Sequence, residues 1–331
     1  MHASATAGSP RTRRLQRSCL AVPATSEVFF EKAAKGEADE VFLDLEDAVS
    51  PGEKERARHL AIAAINDIDW QDKIVAVRVN GLDTPWGYRD IVDVVEQCPR
   101  LDLIMLPKAG SAADVQFVDT LLSGIELAIG RRDPIGIEAL IESAMGMVNA
   151  AKIAQASPRL EALIFGVGDY MIDMQTSDMR MGSLNQDYAV VNDIDGAQAA
   201  SSYLANHWHY AQSRIATVCR AYGLRPIDGP YTDFSDMAGY QASACRGRAL
   251  GFEGKWAIHP SQVAQANTAF TPSAQRVSWA ARVAQAMDDA VGQGRGAINL
   301  DGELIDMAHV KLAANIRRRA ALAAGNPNES A

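Results

Sequence analysis

Residues 135–143 read Ile-Gly-Ile-Glu-Ala-Leu-Ile-Glu-Ser, an apolar run that stops on a carboxylate and a hydroxyl. The next run, Leu163–Val167, stops on Gly168-Asp169. Short continuous apolar runs are how strands buried on both faces read. The pattern recurs in both directions: Gln16–Val22, Val41–Leu45, Ile74–Val79 and Leu103–Leu106 lie upstream, Arg225–Asp228 and Lys255–Ile258 downstream. Segments with apolar residues at helical spacing, such as Ile91, Val94 and Val95, separate most of them. Strands alternating with helices imply a parallel sheet, and eight such units in one chain favour a closed barrel over an open, doubly wound sheet. After the first run the chain reads Val22-Pro23-Ala24-Thr25, without the glycine-rich turn of a dinucleotide-binding sheet. The expected fold is α/β, a (β/α)8 TIM barrel over residues 14–270.

Two segments break the rhythm. Residues 170–202 are long, polar and methionine-rich, with Gly182, Asn185 and Asp187, and predict a large loop over the barrel mouth. After Pro272 an amphipathic helix runs to about Val291, followed by the flexible joint Gly292-Gln293-Gly294-Arg295-Gly296, a small turn unit over 297–306 and a final helix. Residues 271–331 are therefore expected to form a helical lid or oligomer-contact extension, and residues 1–13 a disordered tail.

The 331 residues are 48% hydrophobic, enough for one large barrel with insertions or for two domains. A net charge of −9 argues against a nucleic-acid-binding surface. No apolar run approaches the roughly 18 residues that a membrane helix needs, so no membrane partner is expected. Cys19, Cys98, Cys219 and Cys245 lie far apart with no CxxC pair, which reads as reduced thiols in a cytoplasmic protein. Arg11, Arg13, Arg14 and Arg17 precede the first acidic residue, Glu27, a composition shared with transit peptides but lacking their amphipathic pattern.

The informative feature is the chemistry at the end of each run. Glu46-Asp47, Asn80, Pro107-Lys108, Glu142-Ser143, Gly168-Asp169 and His259-Pro260 stand at the ends of six of them. In a barrel those ends converge on one face, where active sites lie. Glu142 and Asp169 end consecutive strands without a surrounding His or Cys cluster. One reading makes them ligands of a hard cation such as Mg2+, which takes oxygen donors and often only one or two carboxylates. The other ties them to Arg78 and Lys108 without a metal. Glycines on either side of Val167 allow backbone N–H groups of Val167 and Gly168 to approach a ligand, or else serve tight packing at a barrel corner. Arg78 sits among Val75, Val77 and Val79, and needs either a ligand or a partner such as Glu46 or Asp47. Asn80, two positions on, is expected on the same side. His259 either acts in the site or caps the next helix; His207 and His209 read as part of a helix running through Ile215.

The order of these motifs resembles a known family. Residues 17–24 (Arg-Ser-Cys-Leu-Ala-Val-Pro-Ala), residues 43–49 (Leu-Asp-Leu-Glu-Asp-Ala-Val), Arg78-Val79-Asn80, Pro107-Lys108, Ile141-Glu142-Ser143-Ala144 and Gly166-Val167-Gly168-Asp169 are similar to those of the citrate lyase β-subunit-like (HpcH/HpaI aldolase) family of CoA-ester lyases. Residues 80–86 (Asn-Gly-Leu-Asp-Thr-Pro-Trp), Trp208-His209-Tyr210, residues 228–233 (Asp-Gly-Pro-Tyr-Thr-Asp) and residues 254–260 (Gly-Lys-Trp-Ala-Ile-His-Pro) resemble its malyl-CoA/β-methylmalyl-CoA lyase branch. The resemblance spans roughly residues 14–320.

It implies a barrel in a homo-oligomer, trimer or hexamer, with Mg2+ or Mn2+ held by Glu142 and Asp169. It implies that Glu46 and Asp47 face waters on the metal, and that Arg78 serves the thioester. Arg17, Lys32 and Lys108 match positions at the CoA end or the mouth. Asp306 matches a catalytic acid/base carried by a neighbouring subunit's lid. The implied activity is reversible Claisen-type cleavage of L-malyl-CoA, β-methylmalyl-CoA or citramalyl-CoA to glyoxylate or pyruvate and acetyl-CoA or propionyl-CoA. A malyl-CoA thioesterase of the same fold and a metal-dependent pyruvate aldolase without CoA are the alternatives. Two positions depart from the family pattern: Ala24 stands where glycine is usual, and Ser26 where a basic residue is common. The loop around Ser183-Leu184-Asn185 is poorer in glycine than that of the malyl-CoA lyases.

Overall fold

The computed structural model describes residues 14–177, 180–192 and 201–325. The tail expected over residues 1–13 lies outside the described residues. The chain divides into two compact units, Met1–Asn267 and Thr268–Ala331.

In the first unit, strands and helices alternate. β1 (Ser18–Pro23), α1 (Glu27–Lys35), β2 (Glu40–Asp44), α2 (Lys54–Asp67), β3 (Ile74–Arg78) and α3 (Gly87–Gln97) come first. Next are β4 (Leu103–Leu106), α4 (Ala112–Ile129), β5 (Gly136–Ile141), α5 (Ala144–Ile153), β6 (Leu160–Phe165) and α6 (Val167–Asp173). An antiparallel hairpin, β7 (Ala189–Asn192) and β8 (Ser201–Leu204), precedes α7 (His209–Tyr222), β9 (Arg225–Asp228), α8 (Met237–Leu250), β10 (Gly254–Ala257) and α9 (Pro260–Phe270). β1-β10-β9-β6-β5-β4-β3-β2 close into one parallel barrel. The eight apolar runs are its eight strands.

Three local features differ from the sequence expectation. Part of the segment expected as a loop over 170–202 is the end of α6 and the β7–β8 hairpin; residues 178–179 and 193–200 lie outside the described residues. Gly166 and Val167 leave the strand, because α6 starts at Val167. His207 precedes α7 and does not belong to it.

Period-two alternation fixes what fills the barrel. Cys19, Phe42, Ala76, Met105, Leu140, Ile164, Ile227 and Trp256 belong to the interior cluster. The same parity carried toward the strand starts turns Glu40, Glu138 and Arg225 inward. Carried toward the strand ends, it turns Asp44 and Arg78 inward, and Glu142 follows β5 directly in the turn at the same end. The apolar plug therefore has a charged layer on either side.

The layer at the strand starts is closed and self-contained. Gln16 donates to Glu40 and, at 2.7 Å, to Glu138, while Arg225 donates to Gln16 at 2.8 Å and to Glu161 at 3.0 Å. Glu40 Oε1 and Glu138 Oε2 are buried without a hydrogen bond. Burial, then the facing Glu138, pushes the Glu40 carboxyl well above the usual carboxylate range; burial and both carboxylates push the Cys19 thiol up.

The second unit holds α10 (Ala274–Gly292), the hairpin β11 (Ala297–Leu300) and β12 (Glu303–Asp306), and α11 (Met307–Ala323). Its core is Ala280, Val283, Met287, Ile305 and Ala313. Among the described residues no helix is long and apolar enough to cross a membrane.

Because Glu40 takes up protons more readily folded than unfolded, stability falls as pH rises above the ordinary carboxylate range. Glu40→Gln removes the titration while keeping the shape. Thermal melts should show the variant gaining on the wild type by several degrees at pH 8 and little at pH 5. Parallel melting profiles over that range would refute the assignment.

Candidate active site

At the strand ends, each site residue is placed by a short transition from strand to helix. β5 ends at Ile141, Glu142 occupies the turn, and Ser143 caps α5 by accepting the Gly146 amide at 3.0 Å. β6 ends at Phe165, Gly166 precedes α6, and Asp169 lies in that helix's first turn. Gly166 has no alternative, since a Cβ there would overlap the Glu142 side chain. Val167 is buried and Gly168 half-buried beside it.

Arg78 ends β3 in register with Asp44 of β2. Its Nε and Nη2 donate to the two Asp44 oxygens at 2.7 and 2.6 Å. The guanidinium carbon stands 5.4 Å from the ring centre of Trp256, whose ring packs at a tilt against Phe42. Asp44 also accepts the amides of Glu46 and Ala48, which folds the turn carrying Glu46 and Asp47. Lys54 ties the same turn by donating to the carbonyls of Leu45 and Glu46. Burial opposes the Arg78 charge, but Asp44, Glu46 and Glu142 outweigh it and hold the guanidinium protonated more firmly than usual.

Glu46 lies 2.8 Å from Arg78 Nη1 through Oε2 and accepts from Lys108 Nζ at 2.8 Å through Oε1. No N–H points at that Oε2, which is buried without a hydrogen bond. Asp47 is more exposed, 3.6 Å from Arg78 and 3.8 Å from Lys108. Glu142 Oε1 accepts the Lys108 amide at 2.6 Å. Burial first, then Glu46 and Asp169, push the Glu142 carboxyl up to about 8. Burial likewise raises Glu46 and Asp169.

Thus Glu46, Asp47, Arg78, Lys108, Glu142 and Asp169 gather at one mouth. The same-side expectation for Asn80 is corrected. β3 stops at Arg78, so strand alternation no longer governs Asn80, whose backbone and side-chain nitrogens both donate to Asp90 of α3. Arg17 is also placed elsewhere, before the start of β1 at the opposite end of the barrel, in a two-pronged pair with Asp39. Lys32 stands exposed on α1 beside the Phe29 ring. His259 accepts the Ser261 amide at the start of α9, which favours its helix-capping reading. Asp306, in the second unit, caps α11 by accepting the Ala308 amide and pairs with His309 at 2.8 Å. Asp44, Lys54 and Trp256 were not singled out from sequence. An acidic residue in an otherwise apolar strand, beside a strand ending in Arg, was the available signal for Asp44.

The donor set fits a divalent cation. A Glu142 whose carboxyl is raised by burial and by its carboxylate neighbours Glu46 and Asp169 marks negative charge that Arg78 does not fully offset. Among the described residues no group of three or more His, Cys, Asp or Glu side chains forms a metal cage. Two carboxylates suit a hard cation that keeps its waters. Three of the four thiols are withdrawn from chemistry: Cys19, Cys98 and Cys219 are buried, and burial pushes Cys98 and Cys219 up to about 12.

The sequence profile of the family described as HpcH/HpaI aldolase/citrate lyase matches residues 17–260. The chain is 45% identical to an L-malyl-CoA/β-methylmalyl-CoA lyase of Cereibacter sphaeroides, across 94% of this chain and 96% of that protein. It is 36% identical to a malyl-CoA/β-methylmalyl-CoA/citramalyl-CoA lyase of Chloroflexus aurantiacus, across 82% of this chain and 77% of that one. Among solved structures, CitE of Mycobacterium tuberculosis in complex with magnesium, acetoacetate and coenzyme A superposes with a TM-score of 0.72 at 28% identity, over 92% of this chain and 98% of that one.

Gly166→Ala should leave a folded protein that binds Mg2+ at least tenfold more weakly, because the added methyl displaces the Glu142 carboxylate. Calorimetric titration, with circular dichroism as the folding control, measures this; unaltered affinity would count against Glu142 as a ligand.

Proposed function

The chain belongs to the HpcH/HpaI aldolase/citrate lyase family, and on that premise we propose that it is a Mg2+-dependent lyase that reversibly cleaves 3-hydroxyacyl-CoA esters of the malyl-CoA class. The observation that carries this reading is the juxtaposition of Glu142 and Asp169, short of positive charge, with a guanidinium fixed by Asp44. L-malyl-CoA and β-methylmalyl-CoA are the substrates in the name of the Cereibacter relative, and citramalyl-CoA is added in that of the Chloroflexus relative. Glyoxylate, or pyruvate from citramalyl-CoA, and acetyl-CoA or propionyl-CoA are the corresponding products.

In this reading Glu142 and Asp169 would hold the cation, with the carboxylates of Glu46 and Asp47 beside it. When bound, Mg2+, or Mn2+ in its place, supplies Lewis-acid polarisation of the substrate's hydroxyl and terminal carboxylate oxygens. Arg78 has Nε and Nη2 committed to Asp44, while its Nη1 stands in ion pairs with Glu46 and Asp47 at the mouth, the side from which it would meet the thioester oxygen. A guanidinium offers five donors, so Arg78 stabilises the enolate that develops there without releasing Asp44. Val167 and Gly168 line the oxoacid end of the mouth. In cleavage the substrate's hydroxyl loses its proton to water, and the C2–C3 bond breaks to leave the oxoacid carbonyl and the CoA-ester enolate. Asp306 of a neighbouring subunit then donates a proton to the enolate carbon; condensation runs the same steps in reverse. His309 holds Asp306 below the usual carboxylate range, which keeps it in the basic form that condensation needs. The protein then works as a cytoplasmic homo-oligomer, trimer or hexamer; its free cysteines accord with a reducing compartment.

Purified protein with Mg2+ and malyl-CoA should release glyoxylate and acetyl-CoA without free thiol. Free thiol without glyoxylate would identify a thioesterase, and turnover unaffected by EDTA would remove the metal from the reaction. Arg78→Gln should lower kcat roughly 10²- to 10³-fold, the scale for loss of one donor to a developing oxyanion.

A further inference from the structure

Lys108 takes part in the mouth twice, through its main chain and through its side chain. It comes after Pro107 at the end of β4 and lies between two buried residues. Its φ is +51°, one of four positive values at non-glycine residues among the described residues. The left-handed region is disfavoured for a residue with a Cβ, and Asn is the side chain that tolerates it best after Gly.

That conformation has two visible results. The Lys108 amide meets Glu142 Oε1 at 2.6 Å, and the next amide, of Ala109, returns to the Leu140 carbonyl at 3.2 Å. With Oε1 engaged, Glu142 has its Oε2 over Gly166. Meanwhile Nζ reaches the end of β2, donating to Glu46 Oε1 at 2.8 Å. One residue thus joins the acidic turn after β2 to the carboxylate after β5.

We infer that Lys108 is a positioning residue whose left-handed backbone, and not its ammonium, sets Glu142 to receive the cation. The inference rests on the reading of Glu142 as a cation ligand. Charge alone predicts the opposite dependence: an ammonium beside the site repels a cation, so losing it strengthens binding. Strength lost on substitution must then come from the backbone.

Substitutions that all lack the ammonium separate the two. Gly and Asn accept a positive φ, whereas Val, branched at Cβ, does not. Mg2+ affinity is measured by calorimetry on the full chain without substrate. Lys108→Gly and Lys108→Asn should bind at least as tightly as the wild type and within about threefold of each other. Lys108→Val should bind at least tenfold more weakly than Lys108→Gly, with circular dichroism confirming that both are folded. Should the valine variant fail to fold, Lys108→Ala takes its place, with an expected loss of at least threefold. Equal affinities for the glycine and valine (or alanine) variants would overturn the inference while leaving the cation reading standing. A wild-type protein that binds no Mg2+ would overturn both.

Discussion

The two-pronged contact between Arg78 and Asp44 is the interaction on which the barrel mouth depends. Both residues point inward because they continue the parity of Ala76 and Phe42, and their strands bring them into register. The guanidinium has an indole beneath it, and Asp44 in turn gathers the amides of the adjoining turn. Breaking a buried pair of this kind by removing one partner leaves an uncompensated charge, at a cost of roughly 3–5 kcal/mol. The pair is therefore both the anchor of the acidic turn and the reason a guanidinium can be kept at the centre of the barrel.

The barrel meets the same electrostatic problem at both ends and resolves it differently. At the strand starts, Glu40 and Glu138 are buried with Gln16 and Arg225, and although Arg225 offsets part of their charge the Glu40 carboxyl is still pushed well up. At the strand ends, burial and neighbouring carboxylates raise the proton affinity of Glu46, Glu142 and Asp169, while Arg78 and Lys108 offset part of the charge and a cation could supply the rest. Burial raises the proton affinity of carboxyls in both layers. What distinguishes them is access: a (β/α)8 barrel opens its strand ends to ligand through the turns into the helices.

Those turns are short, and this gives the mouth its precision. Glu142 is succeeded at once by the Ser143 cap, and Gly166 allows the Glu142 side chain to lie against the start of α6. A ligand held by a residue between a strand and a capped helix has little freedom to lose when it binds, which is the physical content of preorganisation.

Much of this was legible in the sequence. Eight apolar runs separated by helical spacing require strands buried on both faces, and so dictated a closed parallel sheet. Polar residues at the run ends marked the mouth, because the carboxyl ends of parallel strands share one face. Family motifs added roles for Glu142, Asp169 and Arg78 that spacing left open. Other features depended on tertiary contacts. Asn80 looked equivalent to Arg78 until the strand ended at Arg78 and Asp90 claimed the amide. Arg17 carried a motif but stands at the wrong end of its strand. Asp44 looked like one acid among three, and only cross-strand register makes it the partner of Arg78. The left-handed turn at Lys108 has no local sequence signal, since nothing in Pro-Lys-Ala demands it. Period and hydrophobicity are properties of the chain and can be read along it. Partner choice between charged groups is a property of distance, and distance exists only once the barrel has closed.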